Sequence, residues 1–182
     1  MFEQQRALLI RANSATGKKG RLEQQAITQA DNLYHQASLS AWFSQFFHRL
    51  TKRESHLQDL GRIVTRRTVA GRYLGARAVP IHKIKGSESR SEDFDTSFRP
   101  LNPRNHQRWL NIAIVRLLGV DLPPVELIQI GEDYFVRDGH HRISVARTLG
   151  QKYIDGLVTV WEVAGAPHVS CAVRLDVENA AV

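Results

Sequence analysis

The segment Tyr134–Leu149, which reads YFVRDGHHRISVARTL, constrains the fold more than any other part of the chain. Its first residues alternate between apolar and polar types, as they do in a strand. Asp138-Gly139 is a turn dipeptide, and residues from Ile143 onward have the composition and spacing of a helix. The sequence therefore predicts a strand, a sharp turn and a helix in immediate succession.

This elbow has the chemistry of an anion site. At a helix start the backbone N–H groups have no partner within the helix, and the helix dipole favours negative charge there. Gly139 allows the backbone to approach a ligand closely. Arg142 supplies a planar fork suited to phosphate, and His140 and His141 can donate hydrogen bonds. We therefore predict an anion site, for a phosphate, at Asp138-Gly139-His140-His141-Arg142.

Two further roles are open at the elbow. Asp138 can cap the helix or hold an imidazole in one tautomer, so Asp138 and His140 are the candidates for catalysis. Adjacent histidines on a helix face different ways, which predicts that one binds ligand and argues against a metal held by both. The alternative is that Asp138 is merely a cap, and that His141 or Arg142 packs or pairs locally.

The rest of the C-terminal part reads as strands and one long helix. Gly119 and Gly150 are predicted to end helices. The predicted strands are Ala78–Ile84, Val125–Ile130, Tyr134–Arg137, Ile154–Val163 and Val169–Leu175, and the predicted long helix is Pro103–Leu118. We therefore predict an α+β core over residues 76–176, with residues 177–182 as a tail.

Residues 1–75 are predicted to form a basic helical extension. They contain 12 Lys and Arg against 5 Asp and Glu, whereas residues 76–182 contain 13 of each. Helices are predicted over Leu22–Tyr34 and Leu57–Tyr73, with a break at Thr16–Gly20. The charge predicts non-specific attraction to nucleic acid, although a solvated helical face explains it equally well.

An apolar stripe lies between these helices. Its members recur at spacings of three and four, as on one face of a helix. They are Leu39, Trp42, Phe43, Phe46, Phe47 and Leu50. The stripe is either core or the surface for a partner helix, and the second alternative predicts a homo-oligomer or an interaction module.

The segment DLPPVELIQIGEDYFVRDGHHRISVARTLGQKYIDGLVTV, residues 121–160, resembles the core of the ParB/sulfiredoxin superfamily. The upstream GSESRSEDFDTSFRPL, residues 86–101, is similar to a ParB-like subgroup that carries DGHHR. The resemblance covers residues 78–162. It implies a small mixed-sheet domain that binds a nucleotide, with a Gly-x-x-Arg box on the phosphates.

The box in this chain matches the family at some positions and differs from it at others. Gly139 and Arg142 match the glycine and arginine of the box, and in the sulfiredoxin branch His141 also matches a phosphate contact. His140 stands where that branch has its catalytic cysteine, and a histidine cannot supply thiolate chemistry. In the chromosome-partitioning branch, His140 and His141 replace a glutamate and an arginine. The chain therefore departs from both well-known activities.

Other candidates lie outside the elbow. Arg104 and Arg108 are on the helix that faces the nucleotide in the family, where the alternative is a solvated basic face. Ser87 belongs to a polar loop, Gly86–Arg90, that could meet the ligand. Asp93 and Asp95 are the candidates for Mg²⁺, although acids two apart in a loop are as often turn formers.

The sequence thus predicts a nucleotide-binding domain for a nucleoside triphosphate or diphosphate, with phosphotransferase or hydrolase activity as the enzymatic version. The alternatives are a DNA-binding accessory protein or ParB-like nuclease that uses the basic extension, and a non-enzymatic interaction module. The single Cys171 predicts a reducing compartment. No membrane-spanning run or signal peptide is recognised, so the expected location is cytoplasmic.

Overall fold

A computed structural model of the chain describes residues 17–51, 57–64 and 68–163. The predicted strand Val169–Leu175 and the predicted tail lie outside the described residues. The helices are α1 Gly17–Thr51, the single turn α2 Leu60–Ile63, α3 His106–Leu117 and α4 His140–Thr148. The strands are β1 Gln58–Asp59, β2 Thr68–Pro80, β3 Ile84–Ser87, β4 Val125–Ile130, β5 Asp133–Asp138 and β6 Tyr153–Val163.

The six strands form one mixed sheet in the order β1-β3-β5-β4-β6-β2. The β4–β5 hairpin lies at its centre, with β3 parallel to β5 and β6 parallel to β4. The long strand β2 runs antiparallel to β6 at one edge. The α+β class and the mixed sheet are therefore confirmed, and the long helix α1 lies within the segment that was predicted to form a helical extension.

The predicted helix over Leu57–Tyr73 is wrong. This stretch contains β1, the turn α2 and the first part of β2. β2 pairs with β6 from Thr68 to Pro80, so tertiary hydrogen bonding outweighs the helical composition of the segment. The sheet consequently includes strands that precede residue 76.

Two smaller predictions also need correction. The predicted strand Ala78–Ile84 is divided, because a 3₁₀ turn at Ile81–Lys83 separates the end of β2 from β3. The predicted polar loop over Gly86–Arg90 begins later, since Gly86 and Ser87 belong to β3 and pair with β5. Gly86 is required there because a Cβ would collide with the backbone oxygen of Gln58 in β1.

α1 packs on α3 through small residues. Ala26, Ala30 and Tyr34 of α1 join Trp109 and Ala113 of α3 in one buried cluster. Trp109 is fully buried and belongs to the core of this cluster. α1 thus attaches to the same domain as the elbow, because α3 also packs against α4.

The apolar stripe is exposed where its side chains are described. Leu39, Trp42 and Phe43 are each more than half exposed. The side chains of Phe46, Phe47 and Leu50 lie outside the description. Within the described residues, no helix is long and apolar enough to span a membrane.

Candidate functional site

The turn between β5 and α4 is made by Gly139 in a left-handed conformation, with φ of 99°. A Cβ at this position would lie 2.5 Å from Cγ1 of Val125, the first residue of β4. Conformation and space therefore both favour glycine here. The close approach brings the start of α4 directly against the edge where β4 and β5 meet.

α4 begins at His140, three residues earlier than the predicted Ile143. The first bond within the helix runs from the amide of Ile143 to the carbonyl of Gly139, at 3.0 Å. The amides of His140, His141 and Arg142 precede that bond and form the donor end of the helix. The start of α4 therefore presents backbone donors where the sequence predicted them, and the binding of an anion there stays a prediction.

Arg142 is held by the protein itself. Its Nη1 donates to the carbonyls of Pro123 and Pro124, at 2.6 and 2.7 Å, and its Nη2 donates to Asp138 Oδ2 at 2.6 Å. These bonds tie the start of α4 to the segment that leads into β4. Arg142 does not present a free fork, and its contact with phosphate stays a prediction.

Among the described residues, the hydrogen bond of the Asp138 side chain goes to Arg142. The Asp138 side chain is 59% exposed, and no side chain caps α4. Within the described residues, it makes no hydrogen bond to an imidazole. The predicted capping and tautomer roles of Asp138 are therefore wrong.

Ser87 takes the place beside His140 that was predicted for Asp138. Its Oγ lies 2.6 Å from Nε2 of His140, and both residues are buried. The same Oγ accepts hydrogen bonds from the amides of Ser89 and Arg90, at 3.2 and 2.9 Å. Ser87 is fully buried and contacts His140, and its contact with a ligand stays a prediction.

Both histidines are buried and neutral around pH 7. Burial lowers the pKa of His140 to about 4, and the positive charge of Arg90 acts in the same direction. Burial also lowers the pKa of His141 to about 4, with Arg108 and Arg90 contributing. The imidazoles therefore act as neutral hydrogen-bonding groups at physiological pH.

Phe94 fixes the orientation of the two rings. It stacks on His140 with an interplanar angle of 17°, and it meets His141 edge-on at 79°. Nε2 of His141 is enclosed and has no hydrogen-bond partner in the described part of the chain. Such an unpartnered polar atom is costly unless a ligand or water satisfies it.

A cleft of about 70 Å³ lies at the start of α4. Four arginines converge on it, and Asp138 is the only acid among the described residues that line it. Its lining residues are Arg90, Arg108, Ile112, Arg137, Asp138, Gly139, His140, His141 and Arg142. We call this the arginine cleft.

The arginines of the cleft differ in whether an acidic side chain pairs with them. Arg137 pairs with Glu88 at 3.0 Å, and Arg90 lies 3.8 Å from Asp93. Arg108 is exposed and has no ion-pair partner among the described residues. It is therefore the arginine most available to a ligand anion.

The structure places the two arginines that were predicted outside the elbow in different surroundings. Arg108 lines the arginine cleft, but Arg104 is exposed in the 3₁₀ turn before α3 and does not line it. The sequence analysis did not identify Arg137 as a site residue. Its position at the end of the strand that leads into the elbow could have indicated it. The approach of Arg90, 47 residues before Arg137, depends on the tertiary fold.

The predicted magnesium ligands do not form a visible site. Asp95 is buried, and its carboxylate accepts bonds from Arg99 Nε and from the amides of Ser97 and Arg99. Asp93 accepts from the side-chain amide of Asn102. Within the described residues, no group of three or more His, Cys, Asp or Glu side chains lies close enough to hold a metal. These acids organise the loop, and magnesium binding stays a prediction.

Comparisons with known proteins give little further information. No family model and no curated protein matches the chain. Among solved structures, it is similar to the crystal structure of sulfiredoxin from Arabidopsis thaliana, with a TM-score of 0.32 and 18% identity. The match covers 46% of this chain and 82% of that one. A likeness this weak assigns no chemistry to the chain.

Proposed function

We propose that the arginine cleft binds a phosphate group of a nucleotide. The observation that carries the proposal is that Arg90, Arg108 and Arg137 line the same cleft as the first residues of α4. Guanidinium groups and helix-start amides are the donors that phosphate prefers in proteins. The acid that lines the cleft, Asp138, already pairs with Arg142.

The dimensions of the cleft favour a terminal phosphate. Its volume of about 70 Å³ suits one small oxyanion, whereas sites that enclose a drug-sized ligand measure roughly 300–1,000 Å³. The sugar and base of a nucleotide would therefore lie over the surface outside. Such a ligand would gain most of its affinity from its charge.

The geometry supports binding better than turnover. A general base is most effective when its pKa lies near the working pH. The pKa values of His140 and His141 are about 4, and Asp138 is tied to Arg142. Phosphotransferase, hydrolase and nuclease activities would need a stronger base or a metal supplied with the substrate. We therefore place binding first and catalysis second.

Calorimetric titration of the intact chain tests this proposal. The ligands are inorganic phosphate, ATP, ADP, CTP and CDP, each with and without Mg²⁺ and at two salt concentrations. We expect nucleotides to bind more tightly than phosphate, and binding to weaken at the higher salt concentration because the cleft is charged. Absence of binding by every ligand would contradict the proposal, and equal affinities for phosphate and nucleotides would contradict its nucleotide part.

A further inference from the structure

The Ser87 hydroxyl has a fixed set of hydrogen bonds. Its oxygen accepts from two backbone amides, those of Ser89 and Arg90. A hydroxyl has two acceptor positions and one proton to donate. Since both acceptor positions are filled, the remaining 2.6 Å contact with His140 must be one in which Ser87 donates and Nε2 of His140 accepts.

This assignment determines the tautomer of His140. A neutral imidazole carries one proton, so an Nε2 that accepts requires the proton to be on Nδ1. Nδ1 of His140 has no hydrogen-bond partner among the described residues, and His140 lines the arginine cleft. The nitrogen that remains available to a ligand is therefore a donor.

We propose that Ser87 is a positioning residue, which holds His140 as the Nδ1–H tautomer so that Nδ1 donates a hydrogen bond to an oxyanion in the arginine cleft. The tautomer depends on the fold alone, and the hydrogen bond to an anion rests on the proposed phosphate binding. Ser87 lies on β3 and His140 on α4, so the contact also joins the loop that carries Arg90 to the helix start. With this tautomer, the cleft offers an anion one more neutral donor beside its arginines.

The tautomer can be read directly by nuclear magnetic resonance. Long-range ¹H–¹⁵N correlation on the full, ¹⁵N-labelled chain at neutral pH distinguishes protonated from unprotonated ring nitrogens. We expect Nε2 of His140 to be unprotonated and Nδ1 to carry the proton. A spectrum in which Nε2 carries the proton would overturn the proposal without any variant or ligand.

Variants at Ser87 test the positioning role. Ser87→Ala removes the donor and should shift His140 towards the Nε2–H tautomer, whereas Ser87→Thr keeps the hydroxyl and should retain Nδ1–H. Ser89→Ala is the matched control, because Ser89 is exposed and contributes only its backbone amide to the network. An unchanged His140 tautomer in folded Ser87→Ala would overturn the proposal.

Titration with inorganic phosphate separates this proposal from the proposed function. We expect the Nδ1–H signal of His140 to move on binding, and Ser87→Ala to weaken binding about tenfold, as for loss of one hydrogen bond to a charged group. If phosphate shifts no amide of Gly139–Arg142, the proposed function fails while the tautomer assignment stands on its own spectrum. If phosphate binds but leaves Nδ1–H unmoved and Ser87→Ala binds equally well, the hydrogen bond to the anion is refuted.

Discussion

Gly139 is the residue on which the shape of the arginine cleft depends. It combines a φ of 99° with a close approach to Val125. The positive φ is typical of the turn dipeptide that the sequence displays, whereas the approach to Val125 depends on the tertiary fold. The contact of His140 with Ser87 could not be predicted, because 53 residues separate the two. Local sequence thus indicates the type of site, and the fold selects the partners.

Replacing Gly139 with alanine should destabilise the protein and distort the start of α4. Backbone strain of this kind costs about 1–3 kcal/mol, and the collision with Val125 adds to it. Gly150→Ala is a matched control, since Gly150 also has a positive φ of 72° but has no atom within 4 Å of its Cβ position. Denaturant unfolding should show a larger loss for Gly139→Ala than for Gly150→Ala. Equal losses would show that the approach to Val125 is unimportant.

At the scale of elements, α1 is held to the domain by the close approach that small residues allow. Ala30 is fully buried against α3, in the cluster that contains Trp109. Trp109 in turn donates from Nε1 to Ser144 Oγ of α4 at 2.9 Å. α1, α3 and α4 therefore form one packed layer, and Arg108 is carried on its middle helix.

Ala30→Leu should destabilise this layer. Adding methylene groups to a well-packed interface costs about 1–3 kcal/mol. Gln29→Leu provides the control, because Gln29 is exposed on the same turn of α1. Thermal unfolding should show a lower midpoint for Ala30→Leu and little change for Gln29→Leu. Similar midpoints for both variants would contradict the packing of α1 on α3.

Prediction from sequence was most successful for elements with local signals. The strands β4 and β5 and the helix α3 were predicted to within three residues of their bounds, and Gly119 follows the end of α3 as predicted. The prediction of a helix over Leu57–Tyr73 was wrong. Despite its helical composition, this segment forms β1 and the start of β2, which pair with the distant strands β3 and β6. Edge strands depend on neighbours that local patterns do not reveal.

At the scale of the whole molecule, the buried histidines predict a stability that depends on pH. Unfolding returns each imidazole to a pKa of about 6.5, whereas the folded values for His140 and His141 are about 4. Between these values the unfolded chain binds more protons. The free energy of unfolding should therefore be greatest above pH 6.5 and fall as the pH drops towards 4.

The expected slope is up to about 1.4 kcal/mol per pH unit for each histidine. Urea unfolding at several pH values between 4 and 7 measures it. His141→Gln should remove the contribution of one histidine from the slope. His82→Gln, at an exposed position outside the cleft, is the control and should leave the slope unchanged. A slope that His141→Gln leaves unchanged would contradict the buried, neutral state of His141.

The predicted binding of nucleic acid depends on the positive charge of residues 1–75. Much of the excess positive charge of residues 1–75 lies outside the described residues, so binding of nucleic acid there stays a prediction. The arginine cleft is a separate concentration of positive charge within the folded domain, and Arg108 is the arginine there without an ion-pair partner among the described residues.

Phosphate titration of two single-arginine variants tests the central claim most directly. Arg108 lines the cleft without an ion-pair partner in the described part of the chain, and Arg104, four residues earlier, is exposed outside it. By calorimetry at low salt, Arg108→Ala should weaken the binding of phosphate and ATP about tenfold or more, as expected for loss of a charged hydrogen bond. Arg104→Ala should bind as the unchanged protein does. Equal affinities for the two variants would contradict an anion site at the start of α4.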